Sequence, residues 1–210
     1  MGRPETEHRR RMAMNLLGRG LSTADHYKEA FSVQEAELAM LRRIGTSEHN
    51  MLVAQGNLAL TYRSLGRHEE ALLLRQEVYS GQLKLNGEEH ESTLIAALNY
   101  AASFGDLKRY ADSEVKSLLR KTVPVARRAL GESHDVTLMM RNVYARSLYL
   151  VPDATLDDLR ESVETLEETA QIARRVFGSS HPDVVRIEAS LRKARAALRA
   201  REETQPSGGA

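Results

Sequence analysis

The sequence predicts an all-α fold in which helix pairs stack as repeats and a single helix caps the C-terminal end. Three observations support this prediction. A short segment that combines glycine and histidine recurs four times along the chain, which indicates a repeat architecture. Between the copies, apolar residues recur three and four positions apart, the spacing of an amphipathic helix. No segment alternates apolar and polar residues with the period of a strand, so we predict no strands.

The repeated segments define the length of the unit. Their glycines are separated by 42, 44 and 47 residues, and a histidine follows each glycine within four residues. We place the extra residues of the later units in the loops at 105–115 and 151–155, between the two helices of a unit. Insertions in such loops leave the stacked helices undisturbed. The four glycines are Gly45, Gly87, Gly131 and Gly178.

Each unit is predicted to contain two helices, and glycines or loops end them. Leu72, Val78 and Leu83 belong to an apolar face at helical spacing. Thr155 followed by Asp158 predicts a capping box, because these two residues can satisfy backbone N–H groups at a helix start. In chain order, the predicted helices span 6–18, 24–44, 50–65, 68–85, 91–104, 108–130, 135–150, 155–177 and 182–202.

The two ends of the chain depart from the repeat. Residues 1–20 form a basic segment with a degenerate first helix, and the repeat domain is predicted to span 21–202. The last helix carries Ile187 and Leu191 on one face and many Arg and Lys residues elsewhere. A terminal repeat needs a polar outer face because nothing stacks on it. We therefore predict that this helix is a cap and that 203–210 is a disordered tail.

The composition excludes several classes of function. Lys+Arg 30 against Asp+Glu 29 in 210 residues gives a net charge of +1, which does not attract nucleic acid or anionic lipid. The absence of cysteine removes disulfides, thiolate nucleophiles and cysteine-ligated metals. Apolar runs do not exceed five residues, and the Arg-rich start lacks the apolar core of a secretory signal. We expect a cytoplasmic protein with no membrane partner.

No arrangement of side chains predicts catalysis or metal binding. Four of the seven histidines lie at turns between units, where we expect the imidazole to cap or pack against the next helix. Helices pack about 8–10 Å apart, so histidines at successive turns cannot converge on one ion. The carboxylates of 157–168 are predicted to lie on solvated helix faces, and no phosphate loop or nucleophile motif is present. We expect no enzyme activity, no cofactor, no metal and no specific nucleic-acid binding.

Three motifs resemble those of one known family. The stretches Asn57-Leu-Ala59, Leu65-Gly-Arg-His-Glu-Glu-Ala71 and Gly87-Glu-Glu-His90 are similar to the tetratricopeptide repeat of the kinesin light chain type. The resemblance implies a right-handed α-solenoid whose first helices line a concave groove that holds peptides. The chain has no sustained heptad run, so the resemblance does not extend to the coiled coil through which that family engages its motor.

The first helices of the repeats carry a candidate peptide-binding face. Positions 50, 54, 57 and 61 share one face of a helix, and their side chains are small or polar. Small side chains would allow another backbone to approach, and in the resembling family asparagines of this helix hold the main chain of a bound peptide. The alternative is that Asn57 and Asn99 only bond neighbouring repeats. The predicted groove residues are Asn50, Asn57, Thr61, Ser92, Asn99, Ser103, Asn142 and Ser147.

The sequence leaves different classes of function open. The leading hypothesis is a scaffold that binds an extended peptide or a partner domain in the groove. The rival is a structural or regulatory module, self-associating or part of a larger signalling assembly, whose groove is covered by another chain. A third hypothesis is an enzyme whose site no motif reveals.

Overall fold

The computed structural model describes residues 4–110 and 112–204, and these residues form nine α-helices and no strand. The prediction of an all-α fold is therefore confirmed. Every predicted helix is present, with ends that differ by up to five residues. The helices are α1 (Pro4–Thr23), α2 (Tyr27–Ile44), α3 (Glu48–Ser64), α4 (His68–Asn86), α5 (Glu91–Asp106), α6 (Ser113–Leu130), α7 (Asp135–Tyr149), α8 (Leu156–Phe177) and α9 (Pro182–Thr204).

The chain divides into two compact units, Met1–Gly87 and Glu88–Ala210. The first unit contains the pairs α1/α2 and α3/α4, and the second contains α5/α6, α7/α8 and the additional helix α9. Within each unit, helices that follow one another in the chain pack together. Each unit thus repeats the predicted arrangement of a first and a second helix.

The core of the first unit lies between α2 and α3. Leu41 of α2 and Ala54 and Leu58 of α3 are buried there. Phe31 and Tyr62 pack against this core with their ring centroids 5.4 Å apart. Aromatic pairs at this separation add stability beyond the area they bury.

The core of the second unit reaches its C-terminal helix. Leu138 of α7, Leu166 of α8 and Ile187 of α9 are fully buried in one cluster. The opposite side of α9 exposes Arg192 and Lys193. An apolar face on α7 and α8 with a basic face outward is the arrangement expected of a cap.

Three of the four glycines between the helix pairs share an unusual backbone conformation, whereas Gly45 is left-handed with φ of 65° and ψ of 49°. Gly87, Gly131 and Gly178 have φ of 82°, 95° and 79° with ψ of 174°, 162° and 157°. This combination of positive φ with extended ψ is essentially restricted to glycine. The recurrence of one conformation at three turns confirms the repeat that the sequence predicts.

A histidine after each of these glycines caps the next helix. The Nδ1 atoms of His90, His134 and His181 accept the backbone N–H two residues later at 3.2, 3.3 and 3.2 Å. The first N–H groups of a helix have no partner within it, so the imidazole supplies one. The predicted capping role is confirmed at these three positions. His49 differs because it lies inside α3, which Ser47 caps.

The predicted start of the sixth helix at 108 is wrong. Lys108 has a φ of 57°, a left-handed conformation that cannot continue a right-handed helix. The Asp112 carboxylate accepts the backbone N–H of Glu114 at 3.0 Å and caps the helix there. By contrast, the predicted capping box of Thr155 and Asp158 is confirmed at the start of α8.

The predicted limits of the repeat domain fall within helices. α1 continues across the predicted boundary at 20, and α9 continues to Thr204. Residues 203 and 204 are therefore helical, and the rest of the predicted tail, 205–210, lies outside the described residues. None of the described helices combines the length and the apolar character needed to cross a membrane.

A carboxylate is buried in the first unit. Glu37 of α2 is 1% exposed, and its Oε2 has no hydrogen-bond partner among the described residues. Burial raises the pKa of Glu37, although a hydrogen bond with Asn15 and the charge of Arg11 act in the opposite direction. A charge taken from water without full pairing destabilises the folded state.

We expect Glu37→Gln to stabilise the first unit at neutral pH by on the order of 1 kcal/mol. Glutamine keeps an oxygen for Asn15 and carries no buried charge. Because the folded pKa of Glu37 is raised, the native state holds this proton more tightly than the unfolded chain. Stability should therefore fall as the pH rises above 4.5, the ordinary pKa of the group, through the raised value. Melting curves between pH 4 and pH 8 test this, and a variant with an unchanged pH profile would contradict it.

Candidate interaction surfaces

Four of the eight predicted groove side chains lie in the core. Thr61, Ser103 and Asn142 are each 1% exposed, and Ser147 is 2% exposed. They cannot touch a peptide in this structure, so the predicted set must be corrected. The Thr61 hydroxyl bonds Ser22 of α1, and the Ser103 and Ser147 hydroxyls donate to backbone carbonyls of their own helices. The Asn142 Oδ1 is buried without a hydrogen-bond partner among the described residues.

In both units, hydrogen bonds join a first helix to a neighbouring helix. In the first unit, the hydroxyls of Ser22 in α1 and Thr61 in α3 are 3.0 Å apart and hydrogen-bonded. In the second unit, the Ser162 hydroxyl of α8 donates to the backbone carbonyl of Ala145 in α7 at 2.9 Å. At Thr61, the close approach that we predicted for a ligand is therefore made by a neighbouring helix of the protein.

Two further predicted residues belong to helix starts. The Asn50 side chain donates to the Thr46 hydroxyl at 3.1 Å. The backbone N–H of Ser92 donates to the His90 imidazole. Both side chains are half-buried and lie in the first turns of α3 and α5, which Ser47 and His90 cap.

The remaining two, Asn57 and Asn99, lie beside exposed apolar side chains. On α3, Asn57 stands one turn from Val53 and one turn from Leu60, which are 39% and 49% exposed. Residues three or four apart share one helix face. On α5, Asn99 stands one turn from Ile95, which is also 39% exposed.

The first helix of the first unit adds to this surface character. Met12 and Leu16 of α1 are 47% and 64% exposed. Met12 and Leu16 lie as far before the buried Gly18 as Val53 and Asn57 lie before the buried Ala59. The two pairs therefore occupy equivalent positions on α1 and α3. These residues define the first-helix face of the first unit: Met12, Leu16, Val53, Asn57 and Leu60.

A separate cleft of about 760 Å³ opens between α2 and α4, with α3 as its floor. Leu58 and Tyr62 form the floor, and Ala36, Ala39 and Leu73 are among the apolar residues of the walls. This volume lies within the range of pockets that hold ligands. We call this feature the α2/α4 cleft.

Charged side chains line the α2/α4 cleft. Glu35, Glu70 and Glu77 face it, together with the single cation Arg42. Glu70 pairs with Arg67 at 2.9 Å, and this hydrogen bond lowers the pKa of Glu70. Arg67 is held in turn over the rings of Tyr62 and Phe31, with its guanidinium carbon 4.4 and 5.0 Å from their centroids.

Neither surface contains a recognisable reaction centre. Among the described residues, no group of three or more His, Cys, Asp or Glu side chains could hold a metal ion. The pKa values of Tyr100 and Tyr144 are raised, chiefly by burial and also by hydrogen bonds to Glu114 and Glu161. Phenols held protonated in this way stabilise packing between helices.

Repeated helix pairs with glycine turns and histidine caps define an all-α repeat protein. The family model of the tetratricopeptide repeat matches residues 51–92 and 154–183. These two segments are thus similar to tetratricopeptide repeats, and the predicted resemblance is confirmed. Repeats of this kind generally mediate protein–protein interaction and are generally not enzymes.

Solved structures place the fold beside kinesin light chain-like proteins. One similar structure is that of a Podosopora anserina kinesin light chain protein with nearly identical TPR-like repeats, solved in a form with one substitution. It matches this chain with a TM-score of 0.74 and 26% sequence identity, over 92% of this chain and 89% of that chain. A second structure of that protein matches with a TM-score of 0.72 and 24% sequence identity, over 99% of this chain and 100% of that chain. BtubC (BKLC) from P. vanneervenii matches with a TM-score of 0.65 and 15% sequence identity, over 94% of this chain and 82% of that chain. No curated protein matches the chain.

Proposed function

We propose that this protein is an interaction scaffold that binds an extended peptide or a partner domain on the exposed faces of its first helices. The observation that carries the proposal is the first-helix face of the first unit. Four large apolar side chains are exposed there, two on α1 and two on α3, and the two on α3 lie one turn to either side of Asn57. Contiguous exposed apolar surface is uncommon on soluble proteins and is typical of interaction sites.

The chemistry of Asn57 suits a peptide main chain. Its amide can both donate and accept a hydrogen bond, as a backbone N–H and C=O require. Val53 and Leu60, one turn to either side, offer apolar contacts for side chains of the same peptide. A peptide held in this way gains hydrophobic burial from the side chains and orientation from the amide.

The second unit offers the same combination once. Asn99 stands one turn from the exposed Ile95 on α5, whereas α7 carries Val143 at the corresponding position. Main-chain recognition by an amide is therefore proposed at Asn57 and at Asn99. Asn142, the asparagine of α7, is buried and takes no part.

Alanine substitution of both asparagines tests the proposal. A peptide selected from a displayed random library against the wild-type chain serves as the probe, and its affinity is measured by fluorescence anisotropy. Asn57→Ala combined with Asn99→Ala should weaken binding about tenfold through lost hydrogen bonds. The melting temperature should stay unchanged, because both side chains are only half-buried.

A matched control uses an exposed amide on a second helix. Gln76→Ala on α4 removes such an amide outside the first-helix faces and should leave the affinity unchanged. Equal weakening by both variants, or a collapse of stability in the asparagine variant, would refute the proposal. A self-association that Leu60→Ser abolishes would favour the rival module with a covered face.

A further inference from the structure

In the second unit, a charged pair joins the two ends of the α5/α6 helix pair. Glu89, in the turn before α5, accepts hydrogen bonds from Nε and Nη2 of Arg128 at 3.0 and 2.8 Å. Arg128 belongs to the last turn of α6. The start of α5 and the end of α6 lie side by side because a short loop folds the second helix back along the first. The carboxylate of Glu89 therefore joins the open end of this helix pair.

The α7/α8 helix pair has the same register as the α5/α6 pair. The Tyr100 hydroxyl of α5 donates to Glu114 of α6 at 2.5 Å. In the same way, the Tyr144 hydroxyl of α7 donates to Glu161 of α8 at 2.6 Å. Each tyrosine lies 13 residues after the turn glycine that precedes its helix, and each glutamate lies 17 residues before the turn glycine that follows. The two pairs can therefore be compared residue by residue.

The α7/α8 pair keeps the arginine of the joining contact but not the carboxylate. Ser133 corresponds to Glu89, because each lies two residues after a turn glycine. Arg175 corresponds to Arg128, because each lies three residues before the next turn glycine. Among the described residues, Arg175 is exposed and makes no hydrogen bond or ion pair. An uncharged serine thus stands where the other pair places the partner of this arginine.

Ser133 is accessible to a modifying enzyme. It is exposed and lies in the turn before α7, outside any helix, and exposed turns are accessible to other proteins. The neighbouring carboxylates are engaged elsewhere. Glu132 accepts hydrogen bonds from two arginines, and Asp135 accepts one from the first turn of its own helix. Neither of them therefore replaces Glu89 as the partner of an arginine at the end of α8.

We propose that Ser133 is a phosphorylation site and that Arg175 binds the phosphate. A protein kinase transfers the γ-phosphoryl group of ATP to Ser133: the serine oxygen loses its proton and bonds to phosphorus, and the bond between that phosphorus and ADP breaks. Phosphoserine carries a charge of about −1.5 to −2 at neutral pH at the position where Glu89 carries a carboxylate. The phosphate also lies at the start of α7, where the helix dipole favours negative charge.

The serines at the other turns do not offer this arrangement. Ser47 caps α3, and its side chain accepts the backbone N–H of Asn50. Ser180 precedes α9, and no second helix follows α9 among the described residues. The comparison of helix pairs therefore singles out Ser133.

Phosphoserine installed at position 133 during translation provides the first test. A guanidinium favours the doubly charged phosphate, so the phosphorus-31 resonance should titrate at a lower pH in this chain than in the same chain carrying Arg175→Gln. The melting temperature of the modified chain should exceed that of the unmodified chain by about 2–4 °C. Arg175→Gln should remove most of this increase.

A matched control uses an arginine at the other end of the same helix. Arg160 is exposed and lies in the first turns of α8, so Arg160→Gln should leave the titration of the phosphate unchanged. Equal phosphate titrations with and without Arg175→Gln overturn the proposal, as does an equal effect of the two substitutions.

Mass spectrometry tests whether the modification occurs. Trypsin releases residues 129–141 as one peptide, in which the hydroxyl side chains are those of Ser133 and Thr137. Thr137 is fully buried, so a phosphate on this peptide is assigned to Ser133. We expect protein isolated from its native cells, with phosphatase inhibitors present, to contain this phosphopeptide. Its absence across growth conditions overturns the proposal.

Discussion

Removal of residues 183–210 is expected to lower the melting temperature of the second unit sharply or to make the protein aggregate. Val184, Ile187 and Ala194 of α9 are fully buried, and Leu191 is nearly so. Each fully buried large aliphatic side chain contributes about 1.5–3 kcal/mol. Their loss would also expose the partners of α9 in α7 and α8 to water. The truncation should therefore cost several kcal/mol, measured by thermal or urea unfolding.

A point substitution makes the same test without shortening the chain. Ile187→Ala should destabilise the second unit by about 2–5 kcal/mol because it leaves a cavity in the core. Val185→Ala is the matched control, since Val185 on the same helix is exposed and its loss should cost less than about 0.5 kcal/mol. Equal effects of the two substitutions would refute the assignment of α9 as a cap.

Gly81→Ala is expected to destabilise the first unit by about 1–3 kcal/mol. A Cβ at Gly81 in α4 would overlap Cδ2 of Leu52 in α3 and would stand 3.3 Å from its Cγ. Leu52 is itself buried, so its side chain has little room to move. The added methyl therefore separates the two helices or forces a poor rotamer, and unfolding in urea measures the cost.

Gly56→Ala provides the opposite result in the same pair of helices. Gly56 lies inside α3, and a Cβ there would meet nothing within 4 Å. Alanine should raise stability by about 0.5–1 kcal/mol, because it restricts the unfolded chain and favours the helix. If both alanines were stabilising, close contact between α3 and α4 at Gly81 would be excluded.

The fold could be predicted because its determinants are local. Gly87, Gly131 and Gly178 mark turns that only glycine accommodates, and the histidines after them supply the next cap. The start of α6 was misplaced because Lys108, unlike Gly66 at the equivalent turn, gives no sign of its left-handed backbone. A lysine in that conformation is held there by the surrounding structure.

The sequence identifies a small or polar face on the first helices, but four of the eight residues predicted to contact a ligand are buried. The sequence shows that 50, 54, 57 and 61 are small or polar, but small residues suit a neighbouring helix as well as a ligand. Ser22 could not be identified in advance as the partner of Thr61, because the first helix lacks the repeat motifs. Of these four positions, Asn57 is the one with an exposed apolar residue one turn to either side.

One residue difference in the sequence is related to the α2/α4 cleft. The residue before the recurring alanine of each first helix is Leu58, Tyr100 and then Tyr144. A comparison of these positions would have identified the first as smaller than the others. The acidic lining of the cleft could not be predicted from the sequence, because it depends on which carboxylates of α4 face α2.

The turn glycines also limit which substitutions the protein tolerates. A Cβ at Gly87, Gly131 or Gly178 would meet no atom within 4 Å, so space does not exclude other residues. The backbone does, because side chains rarely adopt positive φ with extended ψ. Every missense change in these three codons adds a Cβ, whether the new residue is small or large. Substitution in any of these three codons should therefore cost stability, whatever the size of the new side chain.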